Sequence, residues 1–137
     1  MAALIGEATA RSPTFKNLVA SIEATDGMVF VDEGKCPRHI PACLVWQLTH
    51  AGAFRVLFVV IDTRRPDIHL MASIGHELRH ALEVLEDSSI RTTSALKQFY
   101  MREGKEVRPH VVETAAGHAA GDTILLEIQQ SRARERR

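Results

Sequence analysis

The sequence predicts an α+β fold: a small antiparallel or mixed sheet of about three strands, packed on a helix that carries an H-E-x-x-H motif, with further helices toward the C-terminus. Short β-branched or apolar runs fall in the first half of the chain, at MVFVD (28–32), Leu44 to Leu48 and Arg55 to Asp62. Apolar residues at helical spacing dominate the second half. A chain of 137 residues, 45% hydrophobic and 25% charged, suits one ordinary domain that buries a core without staples. The expected domain is residues 1–137, with frayed ends at about 1–11 and 131–137.

Each element has a local cause. Ser12-Pro13 is a cap followed by a first-turn proline, and Phe15, Leu18, Val19 and Ile22 then repeat on one helical face, up to Asp26-Gly27. The run VLFVVI is apolar on both faces, which places that strand in the interior of the sheet. His50-Ala51-Gly52 is a hairpin-like break before it. Thr63 to Pro66 is a turn, and a long helix runs from about Asp67 to Glu86. Ser94 to Arg102 forms a third helix, closed by Gly104. The last helix is expected to start near Pro109 and reach about Gln130.

Charge and segment composition exclude several functions. Lys plus Arg and Asp plus Glu are 17 each, so no net charge draws the chain to nucleic acid or anionic lipid. The longest apolar run, Val56 to Ile61, is far short of the ~20 residues of a membrane span. The first ten residues lack the basic start and apolar run of a signal peptide, although a mature secreted protein with an initiator Met would look the same. Cys36 and Cys43, in CPRHIPAC, fit either a disulfide or two reduced thiols. With His39 between them they would still lack a fourth ligand for a metal knot.

The chemistry is concentrated in Ile74-Gly75-His76-Glu77-Leu78-Arg79-His80. Two His at i and i+4 lie one turn apart on one helical face, so both imidazoles can ligate one ion. Glu77 is turned about 100° from His76, which suits a general base acting on metal-activated water. Met71, Ile74, Leu78, Ala81 and Leu85 form an apolar stripe that must face the core. His76 and His80 then face away from it, with His69 and Ser73 on their side, beneath a cleft.

A zinc site needs a third protein ligand. Where the metzincin pattern requires Gly and a third His, this chain has Glu83 and Glu86. A gluzincin-type pattern draws a Glu from a later helix, and Glu113 is the candidate. Read as helical, it shares a small, apolar face with Ala116, Gly117, Ala120 and Ile124, where a carboxylate needs a partner and a metal supplies one. The plain alternative is a Glu favoured by a helix macrodipole. His110 is the rival third ligand, and His118 is expected at the surface. Tyr100 is a candidate catalytic hydrogen-bond donor to an oxyanion, against a half-buried structural Tyr. Glu83, one turn beyond His80, is a candidate carboxylate for orienting that imidazole.

IGHELRHALEV followed by ETAAGHAAGD resembles a group of short bacterial HExxH proteins. SPTFKNLV, VLFVVID and FYMREG are similar too, so the likeness covers most of the chain. More broadly the chain resembles a minimal gluzincin-like zincin. That resemblance implies zinc (Zn2+) held by His76, His80 and Glu113, with Glu77 as base. The chain departs from large gluzincins in lacking a second subdomain and an N-E-x-x-S-D block around Glu113. The expected function is a zinc-dependent hydrolase acting on a peptide or protein substrate, which would pair with an exposed strand near Leu44 to Leu48. The alternative is a non-catalytic metal-binding or interaction domain, whose site would be closed by a fourth protein ligand.

Overall fold

The two densest β-branched runs both become strands of one sheet. The structure, a computed structural model, describes residues 1–108 and 111–137, with the side chains of 105–113 outside that description. β1 (Gly27–Glu33) runs parallel to β4 (Phe54–Ile61), and β2 (Ala42–Leu44) and β3 (Thr49–Ala51) pair antiparallel with β4 along its other edge. The result is a four-stranded mixed sheet in which the VLFVVI strand is central, as its two-faced apolarity predicts. Leu57, Val59 and Ile61 point from β4 into the core and are fully buried.

Five helices lie among the described residues: α1 (Ala2–Arg11), α2 (Pro13–Glu23), α3 (Ile68–Leu85), α4 (Thr93–Glu103) and α5 (Ala115–Glu135). Four of them start at a side-chain cap. Ser12 accepts from Phe15 N–H, Asp67 from His69 and Leu70 N–H, Thr92 from Ala95 N–H, and Thr114 from Gly117 N–H. The apolar stripe of α3 faces the sheet as expected, with Met71, Ile74, Leu78, Ala81 and Leu85 all buried.

The two ends expected to fray are helical, α1 at the start and the last turns of α5 to Glu135 at the finish. α1 places Leu4 and Ala8 in the core, and Glu7 accepts from both Arg11 and Arg132, so the first and last helices are tied together. Arg132, within the end expected to fray, is therefore a structural residue. β2 also starts earlier than Leu44: beyond that residue Val45 N–H still reaches Phe58 O, but Gln47 N–H turns back to Val45 O and ends the strand.

The largest departure lies before α5. β5 (Lys105–Arg108) and β6 (Val111–Glu113) form a two-stranded antiparallel ribbon where the sequence predicted the start of a helix. Three Val residues in that stretch favour extended backbone, and the cap at Thr114, at φ −114° and ψ 152°, delays the helix to Ala115. Glu113 is thus on a strand and shares no helical face with Ala116, Gly117, Ala120 and Ile124.

Candidate metal centre

α3 is anchored at both ends before it presents any chemistry. Asp67 caps its start. At its other end the guanidinium of Arg55, on β4 and only 1% exposed, gathers carbonyls at and just beyond the helix terminus. It donates to Leu85 O at 2.6 Å, and to Asp87 O and Ile90 O at 2.9 Å each. Asp26 neutralises it, accepting at 2.6 Å on Oδ1. Arg55 in turn holds the Asp26 carboxyl below the usual carboxylate range.

On the helix so fixed, His76 and His80 turn their Nε2 atoms toward each other at 3.0 Å. Two nitrogens bound to one tetrahedral ion, each ~2.05 Å from it, stand roughly 3.3 Å apart. The pair is therefore within a few tenths of an ångström of the spacing a chelated ion requires. His76, Glu77 and His80 each offer a ligand-capable atom, and these atoms lie within 4.8 Å of one another. Glu77 is fixed by the sheet. The bonds of Val45 N–H to Phe58 O and Asp62 N–H to Pro41 O turn Pro41, Cys43 and Val45 toward β4. Alternation then turns the peptide groups of Ala42 and Leu44 outward. The Leu44 N–H meets the Glu77 carboxylate there, donating to Oε2 at 3.0 Å.

The side of α3 away from the sheet is covered by α5, and glycines set the approach. A Cβ added at Gly117 would stand 2.7 Å from Cε1 of His80, and one at Gly121 would stand 3.4 Å from Nδ1 of His76. Gly75 of α3 reciprocates: a Cβ there would overlap Ile124 of α5. His80 is buried beneath this contact, while His76 remains partly open. A cleft of about 300 Å³ lies alongside, walled by Pro41 and Ala42 on the sheet edge, His76 and Glu77 on α3, and His118 and Gly121 on α5. His69 and Ser73 also line it, as the helical stripe predicts.

Sequence reasoning missed three contributors. His118 is exposed, as expected, yet its ring lies edge-on to His76 with centroids 5.7 Å apart. Thr114 caps α5 and also meets the site: its Oγ1 lies 3.4 Å from His80 Nδ1 and donates to Glu83 Oε1 at 2.7 Å. The third is the loop before β2. Cys36 and Cys43 are joined by a disulfide, and Arg38 and His39 between them both take positive φ, at 59° and 57°. This closed loop leads into the strand edge that walls the cleft. The E-T-A-A and CPRHIPAC patterns were visible, but which helix Thr114 faces depends on how α5 packs on α3.

The remaining candidates fall as follows. Tyr100 is buried, stacks on Trp46 at 5.5 Å between centroids, and donates its hydroxyl proton to His80 O at 2.8 Å. Burial, followed by the negative charges of Glu83 and Glu77, pushes this hydroxyl up from its ordinary range. In this arrangement Tyr100 supports the main chain beneath His80. The Glu113 side chain and all of His110 lie outside the described residues. No helix among the described residues is long and apolar enough to cross a membrane. Comparison with models of known protein families, with curated proteins and with solved structures finds no match.

Proposed function

We propose that this protein is a zinc-dependent hydrolase of the zincin type, acting on peptides. The observation that carries the proposal is the facing pair of Nε2 atoms on α3, 3.0 Å apart, with a carboxylate one residue along and a cleft beside them. His76 and His80 would hold the ion, and Glu113 is the proposed third ligand. When bound, zinc supplies Lewis-acid chemistry, acidifying water and polarising a carbonyl.

The chain's own residues supply the rest. Glu77 accepts the proton of the attacking water and delivers it to the leaving amine. The Leu44 N–H holds that carboxylate in place, so the proton moves to and from a fixed position. The outward peptide group of Ala42 offers one donor and one acceptor to an extended chain lying in the cleft. This strand edge replaces Leu44 to Leu48 as the proposed docking edge.

The test has two stages. Protein purified without added metal is expected to carry one zinc per chain, and His76→Ala to lose it. Glu113→Ala and His110→Ala, compared by zinc titration, identify the third ligand. Glu77→Gln keeps the acceptor for Leu44 N–H and is expected to retain zinc while losing hydrolysis of a mixed peptide substrate. No zinc in the wild type, or full hydrolysis by Glu77→Gln, overturns the proposal.

A further inference from the structure

The geometry points to Thr114 and Glu83 as positioning residues that hold His80 in the Nδ1–H tautomer, leaving the Nε2 lone pair aimed at the ion. The inference rests on the metal reading above for its purpose, but its logic is a proton count. A threonine hydroxyl has one proton and two acceptor positions. The proton of Thr114 goes to Glu83 Oε1 at 2.7 Å. An acceptor position is filled by Gly117 N–H at 3.1 Å, a bond whose direction cannot reverse because an amide N–H only donates. His80 Nδ1, at 3.4 Å, then meets an oxygen with no proton left to offer, so the imidazole must donate there. The neutral ring that donates at Nδ1 carries its lone pair at Nε2, the atom that faces His76.

Every part of the chain is anchored. Glu83 lies on α3 with His80, so donor ring and terminal carboxylate move together. Thr114 is fixed as the cap of α5, and Gly117, which completes the cap, also packs against the same imidazole. Tyr100 holds His80 from below through its carbonyl. A hydroxyl thus stands between the histidine and the carboxylate that sequence spacing suggested as its direct partner. Groups that orient ligand histidines are typically worth about 10–100-fold in metal affinity.

The experiment uses the full chain with 15N-labelled histidine, metal-free, at a pH above the ordinary imidazole range. Two-bond 1H–15N spectra read the tautomer of His80, and zinc titration follows on the same samples. Wild type is expected to show Nδ1–H. Glu83→Ala leaves the Thr114–Gly117 cap intact but releases the hydroxyl proton toward Nδ1. His80 should shift to the Nε2–H form, and zinc affinity should fall about 10–100-fold. Thr114→Ser should retain the wild-type tautomer and affinity. An Nε2–H ring in wild type, or a tautomer unmoved in Glu83→Ala, overturns the inference. The metal-free spectra decide the positioning role and the titration decides the metal reading: a correct tautomer in a chain that takes no zinc keeps the first and removes the second.

Discussion

Replacing Gly117 with Ala tests whether the closeness of α5 to α3 sets the spacing of His76 and His80, the proposed ligands. The new methyl would stand 2.7 Å from Cε1, 3.0 Å from Nε2 and 3.2 Å from Nδ1 of His80. Carbon atoms rest at ~3.5–4.0 Å, so the ring must retreat by about an ångström or the helices must part. Metal–ligand distances tolerate only about ±0.2 Å, so a displacement of that size separates His80 from the position His76 requires. Overpacking costs ~1–3 kcal/mol, and Ala in a helix regains ~1 kcal/mol over Gly. The net stability change is therefore small, between about zero and 2 kcal/mol unfavourable. Two glycines calibrate the result. Gly6 in α1 meets nothing within 4 Å, and a methyl at Gly121 makes only ordinary contact at 3.4 Å. Urea melts should show Gly6→Ala stabilised by up to ~1 kcal/mol. Zinc titration should show Gly6→Ala unchanged, Gly121→Ala within a few-fold, and Gly117→Ala weaker by about tenfold or more, roughly 1.4 kcal/mol. A Gly117→Ala protein that binds zinc like wild type refutes the reasoning.

Three further outcomes follow from the fold. Arg55→Ala strands buried carbonyls at the end of α3 and is expected to cost about 3–5 kcal/mol in a denaturant melt; a loss under 1 kcal/mol contradicts the clamp. Asp26 has a folded pKa below its unfolded value, so its contribution is present above the unfolded value and disappears as pH falls through the folded one. Melting temperature should thus drop on acidification below the ordinary Asp range, and Asp26→Asn, less stable at neutral pH, should show a shallower acid decline. The disulfide closes a short ring, with a sequence separation of 7. In the chain-entropy account that ring is worth about 2.5 kcal/mol, so Cys36→Ser with Cys43→Ser should melt several degrees lower, and wild type in reductant should match it.

Most of α3 was legible because its signals are local. The start near Asp67, the apolar stripe and the placement of His76 beside His80 all follow from one helix and its period. β4 was recognisable as a central strand because VLFVVI is apolar on both faces, and α2 because Ser12-Pro13 is a start signal. What escaped depends on contacts between distant segments. α1 has weak termini of its own and is held by core burial and by Glu7 with Arg132. The β5–β6 ribbon competes with a helix-like pattern, and pairing of the two strands decides the outcome. Helical geometry gave Glu113 its inward face, and the strand removes that argument while leaving its proposed role to be tested. His118 and Thr114 were ordinary residues in sequence; only the glycine-mediated approach of α5 brings them to the histidines.

The guanidinium that crosses from β4 to the end of α3 has a mechanical consequence. Sliding α3 along the sheet would break the bonds to Leu85, Asp87 and Ile90 together and expose a desolvated charge. That wall of the cleft is thereby rigid, and the strand edge opposite is tied to it through Leu44 and Glu77. The remaining wall, α5, is seated on α3 through close glycine contacts and the fully buried Ile124 and Ile128, so all three walls are set by packing.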